Sequence, residues 1–203
     1  MPFLKTQYVQ FSSPCDVVDT TLYNPDIIPQ YRTVDVIGIE NRKVEDIQFK
    51  NAQGQVINLA RSIGTDKENV RLLKDSFSNQ GWDITKVPPI VEQEDDTLYD
   101  GFSRQEGLLD KGQEVAPYLV VRKKEGFSKE DVIDEIGLGA NNHSQSKKAT
   151  IVDFKKRFAA YVLRIEADGK EVTTNDGLQW FASIPNSFSE TQIEKTIQDV
   201  FND

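Results

Sequence analysis

The sequence predicts a mixed α+β domain followed by a helical tail, and three observations carry that expectation. Short apolar runs separated by Gly, Pro and Asp turns alternate with capped segments of helical period up to about residue 127. Beyond that point the pattern is helical only. Hydrophobic residues make up 37% of the 203-residue chain, with 11 Phe, 6 Tyr and 2 Trp, which is enough apolar surface for a packed core.

Residues 1–41 mix Pro2, Pro14, Pro25 and Pro29 with short apolar pieces and no sustained period, so they are expected to form an irregular extension packed on the domain. From Arg42 the pattern sharpens. The run RKVEDIQF alternates imperfectly as a strand, NAQG supplies a turn, and QVINLA reads as a second strand. Thr65 and Glu68 have capping-box spacing ahead of a helix carrying Val70, Leu73 and Phe77, closed by Asn79 and Gly81. VPPIVEQ is a strand, EDD a turn, and TLYD a short partner strand. Ser103 and Glu106 then have the spacing of a second capping box, for a helix ending near Gly112. APYLVV is a buried strand. Ser128 opens a helix with Val132, Ile133 and Ile136 on one side, closed by Gly137 and Gly139. Thr150 with Asp153 opens the longest helix, whose Phe154, Phe158, Tyr161, Val162 and Ile165 share a face. A last helix follows Ser189 and carries Ile193, Ile197, Val200 and Phe201. These elements divide the chain into an extension (1–41), an α+β domain (42–167) and a helical tail (168–203).

Charge narrows the function classes. The net charge of −9 argues against a chain that coats nucleic acid by bulk attraction. Residues 121–164 nevertheless form a basic island, with 10 basic against 6 acidic side chains. Cys15 is the one cysteine and cannot form an internal disulfide, and His143 is the one histidine, which excludes a His-rich metal cage. No apolar run approaches the roughly 20 residues of a membrane span, and no secretory signal is visible, so a soluble cytoplasmic protein is expected.

The most specific segment is LYDGFSRQEGLLDKG, residues 98–112. A strand ends in Asp100 and Gly101, and a helix begins at once. Gly101 permits close backbone approach, the first-turn amides are unpaired donors, and Arg104 adds a forked cation that matches phosphate or carboxylate oxygens. The helix end alone is worth only about 0.3–1 kcal/mol to an anion, so Arg104 carries much of the expected binding.

The succession of helix, PPIVEQEDDTLYDGFSRQEGLLDKGQEVAPYLVV, helix, GANNHSQSKKAT and long helix resembles the N-terminal domain shared by ParB-type proteins and sulfiredoxin, over roughly residues 42–165. The resemblance implies a ParB/sulfiredoxin-like α+β fold, with short mixed strands, flanking helices and a helical C-terminal tail. Gly101 matches the glycine of that family's Gly-Glu-Arg-Arg box and Arg104 its last arginine. Phe102 stands where ParB-type proteins carry glutamate and sulfiredoxin its reactive cysteine, which excludes sulfiredoxin chemistry, and Ser103 replaces the remaining arginine. The later asparagine box matches at Asn141 or Asn142, followed by His143, Lys147 and Lys148 instead of the usual glutamate and arginine. What the resemblance implies is a CTP or ATP site, with Mg²⁺ as a possible companion. Gly101, Ser103 and Arg104 would hold phosphate. Asn141, Asn142, His143, Lys147 and Lys148 would close the site, with Asn141, His143 and Asp100 as catalytic candidates. Self-association is implied as well. The missing glutamates bear on hydrolysis more than on binding.

The leading expectation is therefore a nucleotide-binding, DNA-associated ParB-like protein, with slow triphosphate hydrolysis as its enzymatic form and residues 121–164 as its DNA surface. One alternative is a metal-dependent ParB-like nuclease with Asp100 and Glu92 as ligands, and another is a non-enzymatic partner-binding protein on the same fold. Residues 174–200 mimic a helix-turn-helix, but the second helix offers Lys195 against Glu190, Glu194 and Asp199. An acidic helix does not face phosphates, so it is read as a packing element with Trp180, Phe181 and Phe188 in its core.

Overall fold

The computed structural model describes residues 7–57, 60, 65–139 and 149–203. The chain divides into two compact units, one of residues 1–58 and 64–126 and the other of residues 59–63 and 127–203. The division falls after Gly126, ahead of the long helix rather than behind it.

The first unit is built on a four-stranded sheet of order β2-β6-β4-β5. Its centre is β6 (Val115–Lys123), antiparallel to β2 (Val34–Lys43) on one side and parallel to β4 (Ile90–Glu92) on the other. Tyr118, Leu119, Val120 and Val121 are fully buried, as a central strand covered on both faces requires, which is why its sequence is a continuous apolar run. β5 (Leu98–Asp100) completes the sheet as the hairpin partner of β4. A two-stranded ribbon pairs β1 (Tyr8–Val9) with β3 (Trp82–Asp83). Helices α1 (Lys67–Asn79) and α2 (Phe102–Lys111) belong to the same unit. Phe77, Trp82, Leu98, Phe102, Leu108 and Tyr118 lie in one core cluster.

Residues 7–41 are more ordered than their composition suggests. β2 begins at Val34 and pairs with β6 along its length, broken by an irregularity between Val36 and Gly38. That strand has no clean alternation because it is half-exposed on several positions, so its period-2 signal is lost. From within β2, the Asn41 side chain holds Val18, ahead of the strand, accepting from the Val18 amide at 3.1 Å and donating to its carbonyl at 2.8 Å. The Trp82 indole N–H donates to the Tyr23 hydroxyl in the core. Expected strand RKVEDIQF is instead the end of β2 and a 3₁₀ turn over Val44–Asp46. Among the described residues, the segment QVINLA contributes an isolated bridge, Lys50 to Val56, across the turn at Gly54.

Two helix starts move by one or two residues from the expected caps. Asp66, not Thr65, caps α1 by accepting from the Glu68 and Asn69 amides. Gly101, not Ser103, stands at the N-cap of α2, with no side-chain cap. In each case another residue already occupies the non-helical cap conformation, leaving the hydroxyl one position or more inside or outside the helix.

The second unit is helical. Lys129–Val132 (α3) opens at the expected Ser128, through a capping box with Asp131, and runs on as a π-helix over Ile133–Leu138. Gly137 lies inside that wider turn rather than closing the helix. α4 (Ile151–Ala167), α5 (Thr174–Ala182) and α6 (Glu190–Phe201) each begin with a capping box, from Thr150, Thr173 and Ser189. Phe154, Phe158, Trp180 and Phe181 form an aromatic core, with Phe154 and Phe188 edge-to-face at 5.0 Å. A Cβ on Gly177 would stand 2.9 Å from Phe158 and 3.0 Å from Ile197, so this glycine sets how closely α5 approaches α4 and α6. Among the described residues, no helix is long and apolar enough to cross a membrane.

Candidate functional site

The junction of β5 and α2 is set by Gly101. Its φ of 94° is left-handed, and a Cβ there would lie 2.6 Å from Pro89, so both conformation and space demand glycine. The helix therefore starts without a side-chain oxygen over its first amides. The 3.6-residue repeat supplies a partner for the Gln105 amide, which donates to Gly101 O at 2.9 Å, but not for the amides before it. Phe102, at the position of the family's glutamate or cysteine, is buried in the core and serves packing.

Arg104 lies in the first turn with its side chain 24% exposed. One Nη donates to the Val87 carbonyl, and the other stands 3.6 Å from the Asp100 carboxylate. The guanidinium carries five N–H donors in a fixed fork. Its Nε and the second protons of both Nη nitrogens have no acceptor among the described residues. Arg104 thus links α2 to the segment before β4 and still presents donors and a positive charge beside the helix start. Ser103 is half-buried in the same turn, without a capping role.

A buried polar chain holds this helix in place. The Tyr118 hydroxyl donates to Gln105 Oε1 at 2.5 Å, and Gln105 Nε2 donates to the Val44 carbonyl at 2.7 Å. Burial pushes the Tyr118 pKa up, so it remains a neutral donor. Gln105 is fully buried and polar, and sequence periodicity alone gave no sign of its role. Glu106, expected as a cap partner, instead has one carboxylate oxygen, Oε2, that is buried and without a hydrogen-bond partner among the described residues.

The other expected site residues are distributed as follows. Glu92 is 6% exposed and accepts from the Tyr99 hydroxyl at 2.9 Å and from the Gln93 amide at 3.1 Å. Burial and this carboxylate raise the Tyr99 pKa, which keeps the phenol a donor. Asp100 sits against Arg104. Among the described residues, no group of three or more His, Cys, Asp or Glu side chains is placed to hold a metal ion. Asn141, Asn142, His143, Lys147 and Lys148 lie outside the described residues. Cys15 donates to Glu114 Oε2 at 2.9 Å, and that hydrogen bond raises its pKa, away from the reactive thiolate.

Among the described residues, three cations of the basic island are paired within the second unit. Arg157 contacts Glu130 at 2.6 Å and Asp134 at 2.5 Å, Arg164 contacts Asp131 at 3.0 Å, and Lys155 contacts Asp203 at 2.8 Å. Asp134 is 3% exposed; burial pushes its pKa up to about 6 against the opposing pull of Arg157. In the first unit, Arg122 and Lys124 face Asp35 at 3.8 and 3.9 Å, which is weak pairing in solvent. The carboxylates that pair Lys155, Arg157 and Arg164 come from the preceding helix and from the C-terminus, which a linear count of cations does not show.

No family model and no curated protein matches the sequence. Among solved structures, the chain is similar to C-terminally truncated chromosome-partitioning protein ParB from Caulobacter crescentus, complexed with CTP-γ-S. Identity is 16% over 79% of this chain and 77% of that one, with a TM-score of 0.40. It is also similar to a Pnob8-like ParB-N domain, at 12% identity over 85% of this chain, with a TM-score of 0.50. The match spans 64% of that chain's length. The expected α+β architecture is present, and the fold of this protein is ParB-N-like.

Proposed function

We propose that this protein binds a nucleoside triphosphate, CTP or ATP, with its phosphates at the start of α2. The observation that carries the reading is a helix N-terminus opened by an obligatory glycine, lacking a side-chain cap, with Arg104 beside it in the first turn. Backbone amides there offer donors to an anion, and a partly buried guanidinium strengthens them where water competes less. The motif resemblance at Gly101 and Arg104 agrees with this placement and selects a nucleotide among possible anions. Ser103 adds a hydroxyl, and Asn141, Asn142, His143, Lys147 and Lys148 are the proposed closing residues. Slow hydrolysis belongs to the same proposal, with Asp100 at the helix start and Asn141 and His143 as its candidate residues. DNA association is proposed as weak and sequence-independent, because most cations on α4 are engaged.

Calorimetric titration of the full chain with CTP, ATP and GTP, with and without Mg²⁺, tests the reading. Saturable binding of CTP or ATP is expected, weakened when Arg104 is replaced. Absence of heat with every nucleotide would overturn it.

A further inference from the structure

The helical unit carries an apolar groove that the nucleotide reading does not use. About 410 Å³ opens between α5 and α6, walled by Leu178 and Ala182 on one side and Ile193 on the other, with Phe181 and Pro185 closing its end. The loop between the helices is fixed by Asn186, whose Nδ2 donates to the Phe181 and Ile184 carbonyls at 2.9 and 2.8 Å while its Oδ1 accepts from the Phe188 amide. The groove is thus a rigid feature of the turn.

Its charge selects what it takes. Among the described residues, no cation lines the groove, and Glu190 does. Glu194 is one turn further along α6, on the same edge: at about 100° per residue, Glu190 and Glu194 stand about 60° and 100° round from Ile193. Lys195 stands about 160° away, on the far side. Across residues 165–203 there are 8 acidic side chains and 2 basic ones. Nucleic acid is repelled by such a surface. On α4, the most basic helix among the described residues, Lys155, Arg157 and Arg164 are already paired with carboxylates, which disfavours a second copy of this chain as the occupant.

We propose that the α5–α6 groove is a docking surface for a cationic amphipathic helix of a partner protein. The partner's aliphatic side chains enter between Leu178, Ala182 and Ile193, and its Lys or Arg residues meet Glu190 and Glu194. This is helix-in-groove recognition, with apolar anchors giving affinity and the charged rim giving selectivity and rate.

The test uses the full chain and three synthetic helical peptides: an amphipathic Leu/Lys peptide, the same peptide with Leu→Ser, and the same peptide with Lys→Glu. Binding is followed by calorimetry. The Leu/Lys peptide is expected to bind saturably, one per chain, and each control at least about tenfold more weakly. Ala182→Arg places a long cation in the groove from an exposed position, and Ile193→Ser shortens its wall; each is expected to weaken the Leu/Lys peptide about tenfold or more. Unchanged thermal melting of Ala182→Arg separates loss of docking from loss of fold. Absence of binding, equal binding of the Leu→Ser peptide, or indifference to both variants would overturn the proposal. So would concentration-dependent dimerisation abolished by Ala182→Arg, which would assign the groove to a second copy, or competition by duplex DNA. Nucleotide titration is unaffected by these variants under either outcome, so this proposal and the α2 site fail separately.

Discussion

Arg104 has two functions in one side chain, and they are separable by measurement. Its bond to the Val87 carbonyl ties α2 to the segment ahead of β4, while its other Nη stands 3.6 Å from Asp100, beside the helix start. Arg104→Ala is expected to destabilise the protein by about 1.5–3 kcal/mol, the range for a hydrogen bond to a charged group, read as a shift in denaturant midpoint. At denaturant-free stability it is also expected to weaken triphosphate binding about 10- to 150-fold. Arg104→Lys restores only part of the affinity, since a point charge cannot hold Val87 and a phosphate together. Gly101→Ala meets both a left-handed φ and the Pro89 ring, so a loss of about 1–3 kcal/mol is expected by the same unfolding measurement. The residue types at this junction were legible in the sequence. Their tethering was not, because Val87 lies 17 residues away and its carbonyl carries no side-chain signal.

Among the elements, those with strong local signals were the easiest to read. The helix starts expected at Ser128, Thr150 and Ser189 hold, each fixed by a capping box, whereas the boxes read at Thr65 and Ser103 give way to caps at Asp66 and Gly101. β2 escaped notice because its partner, β6, is about 80 residues distant and no local rule encodes that pairing. The π-helix over Ile133–Leu138 has no sequence signature either. Its second residue, Asp134, is held by Arg157 of α4, with Arg164, the Glu130 carboxylate and the Trp180 indole nearby. Its folded pKa of about 6 lies above the unfolded carboxylate value of about 3.9, so the folded state binds the extra proton. Its contribution to stability is therefore fully present below the unfolded value and lost as pH rises through about 6. Denaturation curves for the wild type and Asp134→Asn, taken from about pH 4 to about pH 7, are expected to differ by an amount that changes by about 1–3 kcal/mol across that window. Parallel curves would show that Asp134 titrates alike in both states.

For the whole molecule, the α+β class, the order of α1, β4, β5, α2 and β6, and the helical second half followed from pattern alone. The distribution of charge did not, since it depends on which carboxylates fold back onto which cations. With Lys155, Arg157 and Arg164 engaged, few phosphates can be neutralised by the helical unit. The slope of log affinity against log salt for duplex DNA is expected to be shallower than about −4. A slope of about −6 or steeper would show that the basic residues act together despite their pairing.

The central claim is that α2 presents its first amides and Arg104 to a triphosphate. Its most direct test is the ¹H–¹⁵N correlation spectrum of the full chain titrated with CTP and with ATP. Saturable shifts of the Phe102, Ser103 and Arg104 amides, together with the Arg104 Nε–H resonance, are the predicted result. Saturable shifts confined to the helical unit, with those resonances unmoved, would contradict it.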